Sequence, residues 1–255
     1  MKIMLDAGHF GDSNQSPVVP EYFESRRMWI LCELLGKELE SYGFVVEKTR
    51  EDEEKDLSLV KRGEKAKGFD VFLSLHSNAV WGSGNENIDR VDVFAPFDNI
   101  NDSHVLGNLL ADAVAKVMSV SYGNVKTQKS QNGDWEYYSV MYGARNVGCP
   151  FYYIIEHSFH TNKKSALWLL DDENLKKLAE SEAKIIADYF GFSKPVKGDV
   201  DMNGQLDKAD YQLVKRAVMK REALSEEQKQ LADMNKNGRI DAIDYALLKR
   251  QIGNK

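Results

Sequence analysis

Residues 1–192 alternate short apolar runs with longer amphipathic patterns, and this alternation limits this part of the chain to an α/β architecture. Continuous apolar runs, which are typical of strands covered on both faces, occupy residues 3–5, 44–46, 71–76 and 151–156. Apolar residues three and four apart predict helices over 28–39, 105–117 and 175–189, and Gly43 is expected to end the first. Polar stretches rich in Gly and Asn predict loops at 82–87 and 122–134. We therefore expect a mostly parallel sheet flanked by helices.

An internal repeat near the C-terminus indicates a second folding unit. Two segments rich in Asp and Asn, 199–210 and 233–244, begin 34 residues apart, and each leads into a helical pattern with a Lys-Arg pair. A repeat this regular marks a separate unit. The sequence thus predicts a domain at 1–192, a polar linker at 193–197 and a small all-α domain with two loops at 198–255.

Composition and patterning exclude several classes of partner. The 255 residues carry a net charge of −6, whereas tight nucleic-acid binding needs concentrated Lys and Arg. The longest apolar runs are far too short to span a bilayer. The opening residues enter a strand pattern directly, without the charged and apolar segments of a signal peptide. We expect no nucleic-acid partner, no membrane span and no signal peptide. Cys32 and Cys149 are expected to be buried thiols, and a single disulfide between them is the alternative.

Residues with metal-binding side chains end or follow the predicted strands. His9 follows the first strand, and His76 and Glu156 stand at the ends of two others. Because the functional crevice of an open α/β sheet lies at the carboxyl ends of its strands, these side chains are expected to converge. Two imidazoles and one carboxylate meet the needs of a catalytic zinc ion. Glu24, which starts the first helix, is the preferred carboxylate ligand, Glu21 is the alternative, and Glu156 is then free to act as general base.

Three segments together resemble the zinc-dependent N-acetylmuramoyl-L-alanine amidases of the type-3 family. They are residues 6–9 (Asp-Ala-Gly-His), 74–79 (Ser-Leu-His-Ser-Asn-Ala) and 154–162 (Ile-Ile-Glu-His-Ser-Phe-His-Thr-Asn). The resemblance covers about residues 1–192. It implies His9, Glu24 and His76 as zinc ligands and Glu156 as the catalytic glutamate. It also implies cleavage of the amide between the lactyl group of N-acetylmuramic acid and L-alanine.

Three further polar residues in these segments are candidates for substrate contact, namely Asn78, His157 and His160. His157 occupies a position that is usually small or apolar in the family that the chain resembles. For His157 and His160, a purely structural role is the alternative.

Each C-terminal repeat places oxygen-bearing groups at the loop positions that calcium prefers, with Gly at position 6 for the sharp turn. The first set is Asp199, Asp201, Asn203, the Gln205 carbonyl, Asp207 and Asp210. The second set is Asp233, Asn235, Asn237, the Arg239 carbonyl, Asp241 and Asp244. Two such loops, each followed by a helix, resemble a type I dockerin over about residues 198–255. The resemblance implies two calcium ions and a fold that depends on them.

The dockerin resemblance also implies a cohesin-like partner. Dockerins commonly carry Ser or Thr at loop positions 10 and 11, where this chain has Lys208-Ala209 and Ala242-Ile243. Self-association, another wall protein as partner, and a purely stabilising role are the alternatives.

The sequence therefore predicts a peptidoglycan hydrolase, an endolysin or an autolysin, that acts at the bacterial cell wall with one zinc and two calcium ions. Without a signal peptide, we expect holin-type release or a processed, exported form. Two alternatives stay open. One is a zinc peptidase that cuts a peptide bond of the same polymer, and the other is a wall-binding protein without catalysis.

Overall fold

The computed structural model describes residues 1–80 and 87–253, so residues 82–86 of the first predicted loop lie outside the described residues. The chain divides into two compact units, Met1–Phe192 and Ser193–Lys255, and each is described by itself. Within the described residues, no helix is both long enough and apolar enough to cross a membrane.

A six-stranded sheet forms the centre of the first unit. Its strands are β1 (Lys2–Ala7), β2 (Val45–Lys48), β3 (Val71–Asn78), β4 (Arg90–Phe94), β5 (Ser121–Tyr122) and β6 (Phe151–Phe159). They lie in the order β2-β1-β3-β6-β4-β5, and all neighbours run parallel except β4 and β6. The prediction of a mostly parallel sheet is therefore confirmed.

Helices cover both faces of this sheet. They are α1 (Glu24–Ser41), α2 (Leu59–Glu64), α3 (Ser103–Met118, after a 3₁₀ turn at Ile100–Asp102), α4 (Ser139–Asn146), α5 (Lys163–Leu169) and α6 (Asp172–Phe190). The three predicted helices are confirmed as α1, α3 and α6. Gly43 follows the end of α1 with a φ of 92°, a left-handed conformation that favours glycine.

The alternation of side chains along the strands divides them between two cores. Leu5 and Leu73 belong to the larger core, which also takes the apolar faces of α1, α3 and α6. Phe72 points to the other face and belongs to a smaller core with α4. Burial on both faces explains why these strands appear as continuous apolar runs in the sequence. Cys32 and Cys149 are buried free thiols, as predicted.

The second unit is all-α, with helices α7 (Lys208–Val218), α8 (Glu226–Ala232) and α9 (Ala242–Gly253). α7 and α9 each begin within the last three residues of one of the two repeats. Asp207 begins α7 in a capping box with Asp210, whose carboxylate accepts a hydrogen bond from the Asp207 N–H at 2.8 Å. A small core that includes Val200, Val214 and Leu248 holds the helices together. The predicted fold class of this unit is therefore confirmed.

Candidate metal centre

Strand pairing brings the predicted site residues to one face of the sheet. β1 and β3 pair Asp6 with Ser74, and β3 and β6 pair His76 with Glu156. These residues lie at the carboxyl ends of parallel strands, where an open α/β sheet forms its functional crevice. His9 stands two residues after the end of β1, on the loop that leaves this edge.

His9, Glu24 and His76 form a cluster in which one ligand atom from each lies within 4.8 Å of the others. The Glu24 carboxylate lies between the two imidazoles: Oε1 is 2.9 Å from His76 Nδ1, and Oε2 is 3.4 Å from His9 Nε2. The ring centroids of the two histidines are 5.1 Å apart. The structure thus brings together the three residues that the sequence singles out as zinc ligands.

The Glu24 side chain is buried at the start of α1, and the N–H of Ser77 donates to its Oε1 at 3.0 Å. Burial opposes ionisation, but the hydrogen bonds and charges of His76 and His9 hold the pKa of Glu24 well below its usual range. Glu24 is therefore a carboxylate, the form that binds a cation. Glu21, the alternative ligand from the sequence, is exposed and does not belong to the cluster that the described residues form.

Asp6 and Arg62 hold the loop that carries His9. The buried Asp6 carboxylate accepts a hydrogen bond from Ser74 Oγ at 2.7 Å and lies 3.4 Å from the Arg62 guanidinium. Arg62 is also buried and donates to the Ala7 carbonyl at 2.8 Å and to the His9 carbonyl at 2.9 Å. The backbone around His9 is therefore held by hydrogen bonds from Arg62, whose charge is balanced by the buried Asp6 carboxylate.

The backbone at Gly8, just before His9, passes close to the His76 ring. His9 has a φ of 59°, in the left-handed region that residues with a Cβ rarely occupy. Such backbone strain costs of order 1–3 kcal/mol and persists where the surroundings fix it, often at functional sites. A Cβ at Gly8 would lie 2.5 Å from Cε1 of the His76 ring and 2.6 Å from its Nδ1. The missing side chain of Gly8 therefore makes room for the His76 imidazole.

A Gly8→Ala substitution is expected to displace the His76 ring and to weaken zinc binding by at least about tenfold, the scale on which misplaced ligands lose affinity. Competition titration against a zinc indicator measures the effect. Gly36→Ala is the matched control, since its Cβ would meet Leu5 and Val46 at an ordinary 3.7 Å within α1. Equal zinc affinity in the two variants would contradict this role of Gly8.

Glu156 lies beside the cluster, and its Oε2 is shielded from solvent without a hydrogen-bond partner among the described residues. Burial, and then the charges of Glu24 and Asp92, raise the pKa of Glu156 well above its usual range, while Lys126 acts in the opposite direction. A carboxyl group in such surroundings takes up and releases a proton closer to neutral pH, which suits a general acid and base.

Asp92 and Lys126 are site residues that the sequence patterns do not indicate. β4 pairs Asp92 with Glu156, and the buried Asp92 carboxylate lies 2.7 Å from Lys126 Nζ and 3.0 Å from Arg90 Nε. The side-chain amide of Asn78 donates to Asp92 Oδ2 at 3.4 Å. Asn78, a predicted substrate contact, therefore lies at the edge of the same charged group.

His160 is buried next to the cluster. Its Nδ1 is 2.9 Å from the Ser77 carbonyl and 3.8 Å from Glu24 Oε2, and its ring stacks on Tyr22 at a centroid distance of 5.7 Å. With 3% of its surface exposed, His160 packs behind Glu24, which favours the structural alternative for this residue.

His157 is fully buried on the other face of the sheet. Its Nε2 lies 3.1 Å from the Glu182 carboxylate of α6, and its Nδ1 lies 2.9 Å from the His76 carbonyl. This placement favours the structural alternative for His157. Consecutive residues of a strand point to opposite faces, and Glu156 takes the face that carries the site.

The two C-terminal repeats fold into matching loops. Asp199 Oδ2 accepts a hydrogen bond from the Gly204 N–H at 2.9 Å, and Asp233 Oδ2 accepts one from the Gly238 N–H at 2.8 Å. Both glycines are at loop position 6, and their φ values of 83° and 78° lie in the left-handed region that the turn requires. In the first loop, one carboxylate oxygen each from Asp199, Asp201 and Asp210 lies within 4.8 Å of the others.

The remaining predicted calcium-binding residues hold equivalent places in the two loops. The residue at position 12 is Asp210 in the first loop and Asp244 in the second, and its carboxylate accepts backbone N–H groups from both the start and the end of its loop. Positions 5 and 9 each accept an N–H from two residues further on, in the pairs Asn203–Gln205, Asn237–Arg239, Asp207–Ala209 and Asp241–Ile243. At position 3, Asp201 and Asn235 accept the N–H of Asn203 and Asn237.

Comparison with known proteins gives a family for both units. Residues 3–188 match the model described as N-acetylmuramoyl-L-alanine amidase, and residues 197–253 match the model described as dockerin type I domain. A search of curated proteins gives no significant match.

Solved amidase structures share the fold of the first unit. The catalytic domain of CwlV, an N-acetylmuramoyl-L-alanine amidase from Bacillus (Paenibacillus) polymyxa var. colistinus, aligns with a TM-score of 0.59 at 19% identity, over 75% of this chain and 99% of that one. An N-acetylmuramoyl-L-alanine amidase from Clostridium difficile 630 aligns with a TM-score of 0.60 at 18% identity, over 74% and 96%. The amidase AmiC2 of Nostoc punctiforme aligns with a TM-score of 0.58 at 18% identity, over 75% and 97%.

At these identities the structural likeness shows the fold, and the family match over most of the chain shows the family. The chain therefore belongs to the N-acetylmuramoyl-L-alanine amidases, a family of peptidoglycan hydrolases, and carries a dockerin type I domain after its catalytic domain.

Proposed function

We propose that this chain acts at the bacterial cell wall by zinc-dependent hydrolysis of the amide between the lactyl group of N-acetylmuramic acid and L-alanine. The observation that carries the proposal is the convergence of His9, Glu24 and His76 within 4.8 Å, with Glu156 beside them, whose buried Oε2 has no hydrogen-bond partner among the described residues. Two imidazoles and a carboxylate are a known ligand set of catalytic zinc sites, so the residues fit the ion. His9, Glu24 and His76 would hold it.

Zinc in such a site supplies a Lewis acid that polarises the scissile carbonyl and makes water more acidic. The protein contributes the proton transfers. Glu156 takes a proton from the attacking water as the oxygen adds to the carbonyl carbon. It then delivers that proton to the amide nitrogen as the carbon–nitrogen bond breaks, so that the peptide leaves with a free amine. The buried Oε2 of Glu156, which has no competing hydrogen bond among the described residues, is suited to both steps.

Product analysis on purified cell walls tests this function against its alternatives. The proposal requires new amino groups on L-alanine as the walls lose turbidity. New amino groups on D-alanine or diaminopimelate would instead identify a zinc peptidase. Wall binding without any release of amino groups would identify a binding protein that lacks catalysis.

A Lys126→Met substitution is expected to move the acid side of the pH–activity profile to higher pH. Lys126 lowers the pKa of Glu156, so its removal raises that pKa further. The base form of Glu156 is present above its pKa, and activity therefore begins at a higher pH. The measurement is kcat/KM across the acid range. Lys116→Met, at an exposed lysine of α3, is the control, and identical profiles for both variants would contradict the link between Lys126 and Glu156.

We further propose that each C-terminal loop binds one calcium ion. Gln205 and Arg239 would add their backbone carbonyls at loop position 7. The module would attach the enzyme to a cohesin-like partner or to a second copy of the chain. Positions 10 and 11 carry Lys208-Ala209 and Ala242-Ile243, whereas dockerins commonly carry Ser or Thr there. Binding to a cohesin and self-association are therefore both to be measured. In an endolysin as in an autolysin, such a module would keep the enzyme attached at the wall.

Removing calcium is expected to unfold residues 198–253 while the catalytic unit stays folded. Four aspartates share the first loop and three share the second, and their charges repel one another without a cation. Hydrogen exchange of the protein prepared with zinc, with and without calcium, measures the change. The expected result is loss of protection in α7 and α9 and unchanged protection in β1, β3 and β6. Full protection of α7 and α9 without calcium would contradict the expected role of calcium.

A further inference from the structure

An ordered hairpin lies directly before α4, over residues 128–137. The Ser130 N–H donates to the Trp135 carbonyl at 2.9 Å, and the Tyr137 N–H donates to the Gln128 carbonyl at 3.0 Å. Lys129 and Asp134 form an ion pair across the turn. These contacts close the hairpin and set the direction in which its backbone presents the side chains.

Two large aromatic side chains of this hairpin are exposed. Trp135 has 41% and Tyr137 has 54% of its surface accessible. Gly133 lies against the indole, since a Cβ there would be 1.9 Å from the ring. The Tyr137 ring makes an edge-to-face contact with Tyr138 at a centroid distance of 5.1 Å. One side of the indole is thus supported by backbone, while the rest is presented to solvent, an arrangement suited to stacking.

These rings border a cavity of about 360 Å³. Its lining residues are Val60, Trp135, Glu136, Tyr137, Ser139 and Tyr142. The volume lies in the range of small-molecule sites, and aromatic walls with a few polar groups are typical of them. Glu136 is held in place by a hydrogen bond from the Tyr152 hydroxyl to its Oε1 at 2.9 Å.

The cavity adjoins the proposed catalytic site through residues 138–140. The Tyr138 ring packs against Phe94 at a centroid distance of 4.7 Å, and burial, followed by the charge of Glu156, raises the pKa of Tyr138 to about 12. Val140 lines the neighbouring cavity that also contains His9 and His76. A polymer bound at the catalytic site can therefore extend towards Trp135.

We propose that this cavity, the Trp135 subsite, binds a pyranose ring of the glycan strand next to the sugar that carries the scissile bond. The inference rests on the proposed amidase function. The C–H faces of a sugar pack on aromatic rings, and its hydroxyl groups bond to hydroxyl groups such as those of the exposed Tyr137 and Ser139.

Glu136 is the charged residue among the described residues that line the cavity, but its carboxylate is buried, accepts a hydrogen bond from the Tyr152 hydroxyl and lies 3.5 Å from Arg145 Nη1. The described lining therefore presents aromatic faces and hydroxyl groups to a ligand, whereas a stem peptide carries charges that would need partners. Charge therefore favours the uncharged sugar over the peptide.

The test compares Trp135→Ala with the unchanged enzyme on two substrates. One is a single N-acetylmuramic acid that carries the stem peptide, and the other is a glycan strand of several sugars that carries the same peptide. We expect kcat/KM to fall by about tenfold more on the strand than on the monosaccharide, mainly through KM. Trp135→Phe keeps an aromatic face and is expected to restore most of the difference. Tyr122→Ala, at an exposed ring of β5, is the control.

A second measurement separates the subsite from the reaction. Peptide-free glycan strands are titrated against the unchanged protein and Trp135→Ala, with binding followed by calorimetry. The proposal requires weaker binding by the variant. Equal losses on both substrates, or a loss that depends on peptide length, would overturn it. If the unchanged protein hydrolyses neither substrate, the amidase proposal fails, and the glycan titration alone then decides the subsite.

Discussion

Replacing Glu156 by Gln is expected to lower amide hydrolysis by about a thousandfold, within the range that general acid–base groups contribute. The amide has nearly the same shape as the carboxyl group but cannot take a proton from water or return it to the leaving nitrogen. Zinc content is expected to stay at one ion per chain, because Glu156 is not among the proposed ligands. Release of L-alanine amino groups from purified walls measures the loss, and metal analysis of the same preparation measures the zinc.

The fold of this variant should be at least as stable as that of the unchanged chain. A neutral side chain removes the repulsion that Glu24 and Asp92 exert on Glu156, so the midpoint of thermal unfolding is expected to stay or rise. Glu180→Gln, at an exposed position of α6, is the control for the loss of one negative charge. Hydrolysis within a few-fold of the unchanged enzyme would remove Glu156 from the mechanism.

Replacing Glu24 by Ala is expected to remove both zinc and activity. The substitution takes away the one carboxylate of the cluster that the described residues form, and it leaves the Ser77 N–H without its acceptor. Zinc affinity should fall by at least about a hundredfold, which exceeds the usual cost of disturbing a partner of a ligand. The buried N–H adds a stability loss of about 1–3 kcal/mol.

Glu21→Ala is the matched control for this experiment. Glu21 is exposed, three residues from Glu24, and was the other carboxylate that the sequence offered as a ligand. We expect its zinc content and activity to equal those of the unchanged chain. Zinc loss in Glu21→Ala together with zinc retention in Glu24→Ala would reverse the assignment. Both are measured by metal analysis after dialysis against a zinc buffer.

The sequence predicts the parts of the fold whose apolar pattern is long or continuous. β1, β3 and β6 are buried on both faces and therefore appear as continuous apolar runs. α1, α3 and α6 each run for several turns, so the three-to-four-residue spacing of their apolar residues is clear. β4 is not predicted, because Asp92 interrupts its apolar residues and it pairs with β6 in the antiparallel direction. α2, α4 and α5 are too short to establish a helical period.

The same distinction applies to the candidate site. His9, His76 and Glu156 are predictable because strand ends converge in a parallel sheet. The contact of Lys126 with Asp92 depends on where β4 lies, which no local pattern encodes. For His157, strand alternation alone predicts the face opposite to Glu156, so this position is predictable from the sequence once Glu156 is placed in the site.

Anomalous diffraction at the zinc absorption edge tests the central claim most directly. Crystals of the chain purified with zinc are expected to show one strong peak, about 2.0–2.2 Å from a nitrogen each of His9 and His76 and from an oxygen of Glu24. A zinc peak bound by another set of residues, or the absence of any peak at this cluster, would contradict the proposed metal centre and the hydrolytic mechanism built on it.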